Sequence, residues 1–291
     1  MNSKFIGIPK IVCLNHNDDI DKMFFMKNQF DKNGLEYFRY EKKYTVSDYE
    51  FWKELILDKK LKSSVYDLCE TINLLDSIIE WYDSTDDEYC IFMSDIVSFD
   101  PSNYWFFNWE KIFDLLPYNW DCINLYYSSL NMIKMHLHPW RREVGFGTLD
   151  RRTNPTYCFM ISRYFAKRLK HYHYVNGKYR LHYESPNTSI YPNDYGTLND
   201  FLFDCGITYN LPILSLNRSF LKNSKDIIDT IDSLCAESIE YWWRANSKSS
   251  SEFYFFNYNK NHEWKQEVLF DYKAEIPYIF RNSREQVSIW I

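Results

Sequence analysis

The chain has 291 residues, of which 45% are hydrophobic and 25% charged, a balance typical of a globular protein with a sizeable core. Its formal net charge of -6 at pH 7 argues against a nucleic-acid-binding protein, because such proteins carry a basic surface. No apolar run approaches the roughly 18 residues of a membrane span, and the opening MNSKFIGIPKIVCLN lacks the apolar core of a secretory signal. The 7 cysteines are dispersed without a CxxC pair, so we expect reduced, buried thiols in a cytoplasmic protein.

The first elements in chain order predict a strand, a helix and a second strand. KIVCLN is a short apolar run typical of a buried strand, and Asn17 or Asp18 is expected to cap the following helix. That helix is expected to end at Asn33 and Gly34, and LEYFRYE predicts the next strand. The chain therefore opens with the β-α-β unit of a parallel sheet.

Residues 63–82 carry the clearest helical period, with apolar side chains at steps of three and four. EYCIFMSD then predicts a strand buried on both faces. Asp100 and Pro101 are expected to open a single helix that includes Trp105 and Trp109. CINLYY and TYCFMIS predict two further strands, and RYFAKRLKHY predicts a helix after the second.

Alternating strands and helices predict an α/β fold with a Rossmann-like, mostly parallel sheet flanked by helices. We expect this domain to span residues 1–217. Residues 218–291 are expected to form a helical and aromatic-rich extension that packs on it.

Segments of this domain, taken in order, resemble glycosyltransferase family 25. These segments are IVCLNHNDDIDKMFFMKNQFDKNGLEYFRYE, VYDLCETINLLDSIIEWYDSTDDEYCIFMSDIVSFD, LPYNWDCINLYY, YCFMISRYFAKRL and YGTLNDFLFDCGITYNLPIL. The family covers lipopolysaccharide-type galactosyl- and glucosyltransferases and the collagen galactosyltransferases. The resemblance spans about residues 8–217. It implies a GT-A type fold that binds a UDP-sugar at the carboxyl ends of the strands, and transfer of a hexose to a hydroxyl of a glycan or protein with inversion.

The family has an acidic cluster of the type Glu-Asp-Asp where this chain has Met93, Ser94 and Asp95. The resemblance therefore places Ser94 and Asp95 beside the donor diphosphate, where Asp95 is a candidate ligand of Mn²⁺ or Mg²⁺. The alternative is that Asp95 caps the turn after the strand. Asn15 ends the first strand and is expected near the base or ribose of the nucleotide, or else to cap the first helix.

Two groups of residues are candidates to compensate for the reduced acidic cluster. His138, beside His136, is a candidate metal ligand, and the alternative is a packed or solvent-facing pair. Arginines in the loop WRREVGFGTLDRRTNP are candidates to bind the diphosphate without metal, because guanidinium matches phosphate oxygens bidentately. They are Arg141, Arg142, Arg151 and Arg152. An ordinary charged surface loop is the alternative.

The resemblance implies that Asp200, in GTLNDFLF, is the base that accepts the acceptor's proton. Asp194 and Asp204 are close enough in sequence to compete for this role, and a helix-terminal charge is the other reading of Asp200. Asp121 precedes a buried strand and is expected to be structural or to lie near the ribose.

The leading hypothesis from the sequence is thus an enzyme of surface-glycan or lipopolysaccharide biosynthesis with a UDP-sugar donor and a glycan or protein acceptor. The alternative is a catalytically inactive relative that binds a glycan or a partner protein, and the replacement of two acidic residues by Met93 and Ser94 favours it. Transfer to modified DNA is a third reading, and the acidic charge balance argues against it.

Overall fold

The computed structural model describes residues 3–57, 64–117, 119–126, 141–142, 157–181, 206–221, 227–245 and 247. The strands in these ranges are β1 (Ile11–Asn15), β2 (Tyr37–Glu41), β3 (Tyr89–Ser94), β4 (Val97–Ser98), β5 (Cys122–Asn124), β6 (Arg141–Arg142), β7 (Cys158–Ser162), β8 (Tyr174–Val175), β9 (Lys178–Tyr179), β10 (Thr208–Asn210) and β11 (Ser215–Leu216). The α-helices in these ranges are α1 (Ile20–Asn33), α2 (Tyr49–Trp52), α3 (Val65–Ser84), α4 (Trp109–Asp114), α5 (Arg163–His173) and α6 (Ile227–Ala245).

A central sheet joins strands in the order β2-β1-β3-β7-β5-β10-β6. Strand β1 pairs in parallel with both β2 and β3, and β5 pairs in parallel with β10. Strand β7 runs antiparallel to its neighbours β3 and β5, and β6 runs antiparallel to β10. The predicted α/β class with a mostly parallel sheet flanked by helices is therefore confirmed, and the arrangement is compatible with a Rossmann-like fold.

Both faces of the sheet are covered, because successive side chains of a strand point to opposite faces. In β1, Ile11 and Cys13 face one core and Val12 and Leu14 face the other, and all are buried. Helices α1, α4 and α6 pack into the first core, while α3 and α5 pack into the second. An apolar side chain is therefore suited to either face of a central strand, and polar side chains are suited to the strand ends.

The end of α1 is confirmed, whereas its predicted start is wrong. Gly34 follows the last turn with φ 65 and ψ 41, a left-handed conformation that glycine adopts at low cost. The helix begins after Asp19, whose side chain makes no capping hydrogen bond, and neither Asn17 nor Asp18 precedes the first turn directly. The Asn17 Oδ1 atom instead accepts a hydrogen bond from Arg39 at 3.2 Å.

The single helix predicted from Asp100 is also wrong. A short 3₁₀ turn over Asp100–Tyr104 ends at Trp105, whose backbone is extended with φ -62 and ψ 143. The indole N–H of Trp105 donates to the carbonyl of Ile213 at 3.1 Å, which fixes the ring in the core. Helix α4 then starts separately, where the Asn108 side chain accepts from the N–H of Lys111.

The described cysteines are buried and form no disulfide, as expected from their dispersed positions: Cys13, Cys69, Cys90, Cys122, Cys158 and Cys235. Burial raises the pKa of Cys69 to about 11 and raises the pKa of Cys13 as well. These thiols are therefore packing groups rather than nucleophiles. In the described part of the chain, no helix combines the length and the apolar character that crossing a membrane requires.

Two phenylalanines of α1 allow a test of which face of this helix packs into the core. Phe30 is 0% exposed and Phe24 is 65% exposed. We expect Phe30→Ala to lower the free energy of unfolding by about 3–5 kcal/mol, because it removes a buried ring and leaves a cavity. Phe24→Ala on the same helix should change it by less than about 0.5 kcal/mol. Urea denaturation followed by circular dichroism measures both values, and equal losses would contradict the assigned face of α1.

Candidate functional site

The strand order changes direction at β1, because β2 lies on one side of it and β3 on the other. These three strands are parallel, so their carboxyl ends meet at one edge of the sheet. Open α/β sheets bind ligands in the crevice outside such a point. Asn15 is the last residue of β1, Ser94 is the last of β3, and Asp95 follows directly. The fold thus brings together the three described residues that the sequence predicts for nucleotide binding.

The side-chain amide of Asn15 links the groups around this point. Asn15 is 0% exposed, and its Nδ2 donates to Asp95 Oδ2 at 2.8 Å and to the carbonyl of Asp19 at 3.1 Å. Its Oδ1 accepts from Arg39 Nη2 at 2.7 Å and from Arg39 Nε at 3.1 Å. Both amide hydrogens and the amide oxygen are therefore engaged, which fixes the amide orientation and satisfies a fully buried polar group.

The Asp95 carboxylate lies against the protein with 7% of the residue exposed. Its second oxygen, Oδ1, accepts from Ser94 Oγ at 3.3 Å. In the ranges that the structure describes, no backbone N–H donates to this carboxylate, so the alternative reading of Asp95 as a turn cap has no support. Asp95 is instead a side chain held at the sheet edge by an amide and a hydroxyl.

Arg39 is a component of this site that sequence reasoning missed. It lies in β2 in register with Cys13 of β1, and its guanidinium reaches Asn15 and Asn17 at the carboxyl edge. The signal in the sequence was weak, because one arginine in an edge strand of alternating polarity resembles a solvent-facing residue. Its contact with Asn15 depends on the pairing of β1 with β2, which the sequence does not specify.

A second charged cluster lies beside Arg39. Lys42 Nζ is 2.6 Å from Glu70 Oε2 of helix α3, and His16 Nε2 is 3.7 Å from the other oxygen. Burial alone raises the pKa of Glu70, but the nearby His16 and the charge and hydrogen bond of Lys42 outweigh it and bring the pKa to about 2. Glu70 is therefore ionised at neutral pH, and it compensates the charge of Lys42.

Two asparagines lie further along the carboxyl edge and were also missed. Asn124 ends β5 and Asn210 ends β10, and Asn124 Nδ2 donates to Asn210 Oδ1 at 3.2 Å. Asn124 is 4% exposed, and its own Oδ1 has no hydrogen-bond partner among the described residues. Strand spacing puts this pair roughly 10–15 Å from Ser94. A buried carbonyl oxygen without a donor favours a hydroxyl or a water at this position.

Asp121 lies at the opposite edge of the sheet, because it precedes β5. Its carboxylate accepts from Arg168 Nη1 at 3.1 and 3.2 Å and from the N–H of Ile207 at 2.8 Å. The structural reading of Asp121 is therefore supported, because these contacts hold α5 and the start of β10 at the edge away from Asn15, while the reading near the ribose stays a prediction.

Other predicted site residues lie outside the described ranges: Asp200, Arg151, Arg152 and His138, together with Asp194, Asp204 and His136. The backbone of Arg141 and Arg142 forms β6, which pairs with β10. These two arginines are thus in an edge strand rather than in the predicted loop.

The described donor groups at the switch point do not by themselves form a site for a divalent cation. Among the described residues, no group of three or more His, Cys, Asp or Glu side chains is placed to hold a metal ion. Asp95 directs both carboxylate oxygens at protein donors, whereas Mn²⁺ and Mg²⁺ prefer several oxygen ligands. The metal pair predicted from Asp95 and His138 stays a prediction, since His138 is not described.

Comparisons with known proteins add little to this geometry. No protein-family model matches the chain, and no curated protein matches it. Among solved structures, it is similar to one titled "Crystal Structure of A197 from STIV", with a TM-score of 0.36 and 12% sequence identity over 72% of this chain and 84% of that chain. A similarity of this size carries no argument about function.

The low pKa of Glu70 predicts a pH dependence of stability. The ordinary value is 4.5 and the value in the folded protein is about 2, so the carboxylate stabilises the fold above about pH 4.5 and this contribution is lost as the pH falls toward 2. Because the Glu70–Lys42 ion pair is partly exposed to solvent, we expect this contribution to the free energy of unfolding to be about 1 kcal/mol. The free energy of unfolding of Glu70→Gln should therefore fall by about 1 kcal/mol less than that of wild type between about pH 5 and pH 2.

Urea denaturation at a series of pH values measures this difference. Glu36→Gln is the matched control, because Glu36 is exposed and forms no ion pair with a described residue. It should follow the wild-type curve. A Glu70→Gln curve that also coincides with wild type would contradict the role of the His16–Glu70–Lys42 cluster.

Proposed function

We propose that the chain is a GT-A type glycosyltransferase that moves a hexose from a UDP-sugar to a hydroxyl of a glycan or protein, with inversion. One observation carries the proposal: the buried Asn15 amide joins Asp95 to Arg39 at the switch point between β1 and β3. Ligands of open α/β sheets bind at such points. The choice of a glycosyl-transfer reaction rests on the resemblance of the sequence segments to glycosyltransferase family 25.

The proposed reaction is a single displacement at the anomeric carbon. The acceptor oxygen attacks this carbon, the bond to the diphosphate oxygen breaks, and its electron pair leaves with UDP. The acceptor's proton passes to a base, for which Asp200 is the proposed residue by resemblance. The protein must hold the two substrates in line and stabilise the leaving diphosphate.

The described residues are suited to binding the nucleotide sugar. The Asp95 carboxylate accepts hydrogen bonds and suits hydroxyls of the ribose or hexose, as acidic residues at such edges do in dinucleotide sites. The Oδ1 atom of Asn124, which has no donor among the described residues, offers a second acceptor on the same edge. Both Asn15 and Asn124 are almost fully buried, so they require little reordering when a substrate binds.

A catalytically inactive protein that binds a glycan or a partner is the second candidate. Met93 is buried in the core beneath the site, and Ser94 directs its hydroxyl at Asp95. Neither position supplies a second carboxylate at the edge of the sheet. Binding of UDP without release of UDP from any UDP-hexose would favour this candidate.

Asp95→Asn tests the proposed function. The substitution keeps an oxygen that accepts from Asn15 and removes the charge, so the fold should persist. We expect UDP release from a panel of UDP-hexoses to fall about 10- to 100-fold, the usual cost of one charged hydrogen bond. Asp31→Asn, at an exposed position of α1, is the matched control and should behave as wild type. Unchanged turnover in Asp95→Asn would show that the site lies elsewhere.

A further inference from the structure

Arg39 carries a positive charge at the carboxyl edge with no carboxylate within 4.0 Å among the described residues. Three other arginines in the described part of the chain do lie close to a carboxylate. Arg163 lies 3.6 Å from Asp86, and two more pairs, Arg168 with Asp121 and Arg218 with Glu237, both lie at 3.1 Å. Arg39 is partly buried, and its partners in the described part of the chain are the neutral amide oxygens of Asn15 and Asn17.

The charged groups near Arg39 do not form an ion pair with its guanidinium. Lys42 is paired with Glu70, and Lys22 is paired with Asp19 at 2.8 Å. The Asn15 amide separates Arg39 from the Asp95 carboxylate, since one end of this amide contacts the guanidinium and the other contacts the carboxylate. A partly desolvated guanidinium with only amide partners gains more from an anion than one that is already in an ion pair.

The guanidinium is also held in a fixed orientation. Nε and Nη2 donate to Asn15, and Nη2 donates in addition to Asn17. Nη1 donates no hydrogen bond to any residue that the structure describes, so neither of its N–H groups is engaged within that part of the chain. A guanidinium that is already oriented loses little freedom when it binds a phosphate oxygen.

We propose that Arg39 binds the diphosphate of the nucleotide sugar in place of a divalent metal, so that the donor binds without Mn²⁺ or Mg²⁺. This inference rests on the proposed function, because it names the cation of that same site. It follows from the groups at the switch point: both oxygens of the Asp95 carboxylate accept from protein donors, whereas the Arg39 guanidinium has no counter-ion in the described part of the chain. Without a metal between them, a carboxylate would repel the diphosphate, whereas a guanidinium attracts it.

Calorimetric titration of the full chain with UDP tests the inference. Wild type should bind UDP with the same Kd in EDTA and in Mn²⁺, within about threefold. Arg39→Gln should raise the Kd about 10- to 100-fold in both conditions, through loss of charged hydrogen bonds. Arg39→Lys keeps the charge but not the planar fork of donors, so its Kd should lie between those of wild type and Arg39→Gln.

Arg163→Gln is the matched control. Arg163 lies at the opposite edge of the sheet, since its backbone N–H donates to the carbonyl of Glu88 just before β3. This variant should bind UDP as wild type does. Far-UV circular dichroism and thermal denaturation of each variant show whether it remains folded, and Arg39→Lys keeps the test valid if Arg39→Gln is unstable.

Uridine, which has no phosphate, separates a diphosphate contact from a contact with the base. The inference requires Arg39→Gln to bind uridine as well as wild type does. An equal loss of affinity for uridine and for UDP in Arg39→Gln would place Arg39 at the nucleoside and overturn the inference. UDP binding that needs Mn²⁺ would also overturn it and leave the proposed function intact. Absence of UDP binding by wild type in both conditions would overturn both proposals.

Discussion

The site depends on one buried amide. The Asn15 side chain donates to a carboxylate at one end and accepts from a guanidinium at the other, which an amide does without carrying a charge. Because Asn15 is 0% exposed, loss of either partner would leave a polar atom without water or protein to bond it, at a cost of about 1–3 kcal/mol. The positions of Asp95 and Arg39 are therefore coupled through β1.

The amide holds these positions because the surrounding sheet is rigid. Both faces of its central strands are covered, so side chains have one packed arrangement. Much of the 20% aromatic content serves this packing, as in the stacked pairs Phe30 with Tyr37 and Phe92 with Phe159. Packing of the core therefore accounts for much of the aromatic surplus, which is not itself a sign of sugar binding.

A polar cluster on the second face strengthens the region next to the site. The Asp76 carboxylate of α3 accepts from Tyr40 of β2 at 2.6 Å, from Tyr179 of β9 at 2.5 Å and from Lys43 at 2.7 Å. Burial alone raises the pKa of Asp76, but these three hydrogen bonds outweigh it and lower the pKa. The cluster joins the edge strand that carries Arg39 to the helix behind it.

The sequence by itself determined the local elements, because helical and strand periods are encoded within a few residues. The period over 63–82 became helix Val65–Ser84, the Asn33-Gly34 stop is where α1 ends, and Asn15, Ser94 and Asp95 lie at strand ends as predicted. Two contacts were not predictable because they join residues far apart in sequence: Asn17, a predicted cap of α1, contacts Arg39, and Trp105, where the predicted helix is broken, contacts Ile213.

Tertiary structure alone decided which elements are neighbours. The antiparallel course of β7, the contact of Asn15 with Asp95 across 80 positions and that of Arg39 with Asn15 across 24 are set by strand pairing, which no local pattern specifies. The Asn124–Asn210 contact spans 86 positions and has the same origin. Periodicity identifies the face on which a residue lies, and the order of strands in the sheet decides what that residue meets.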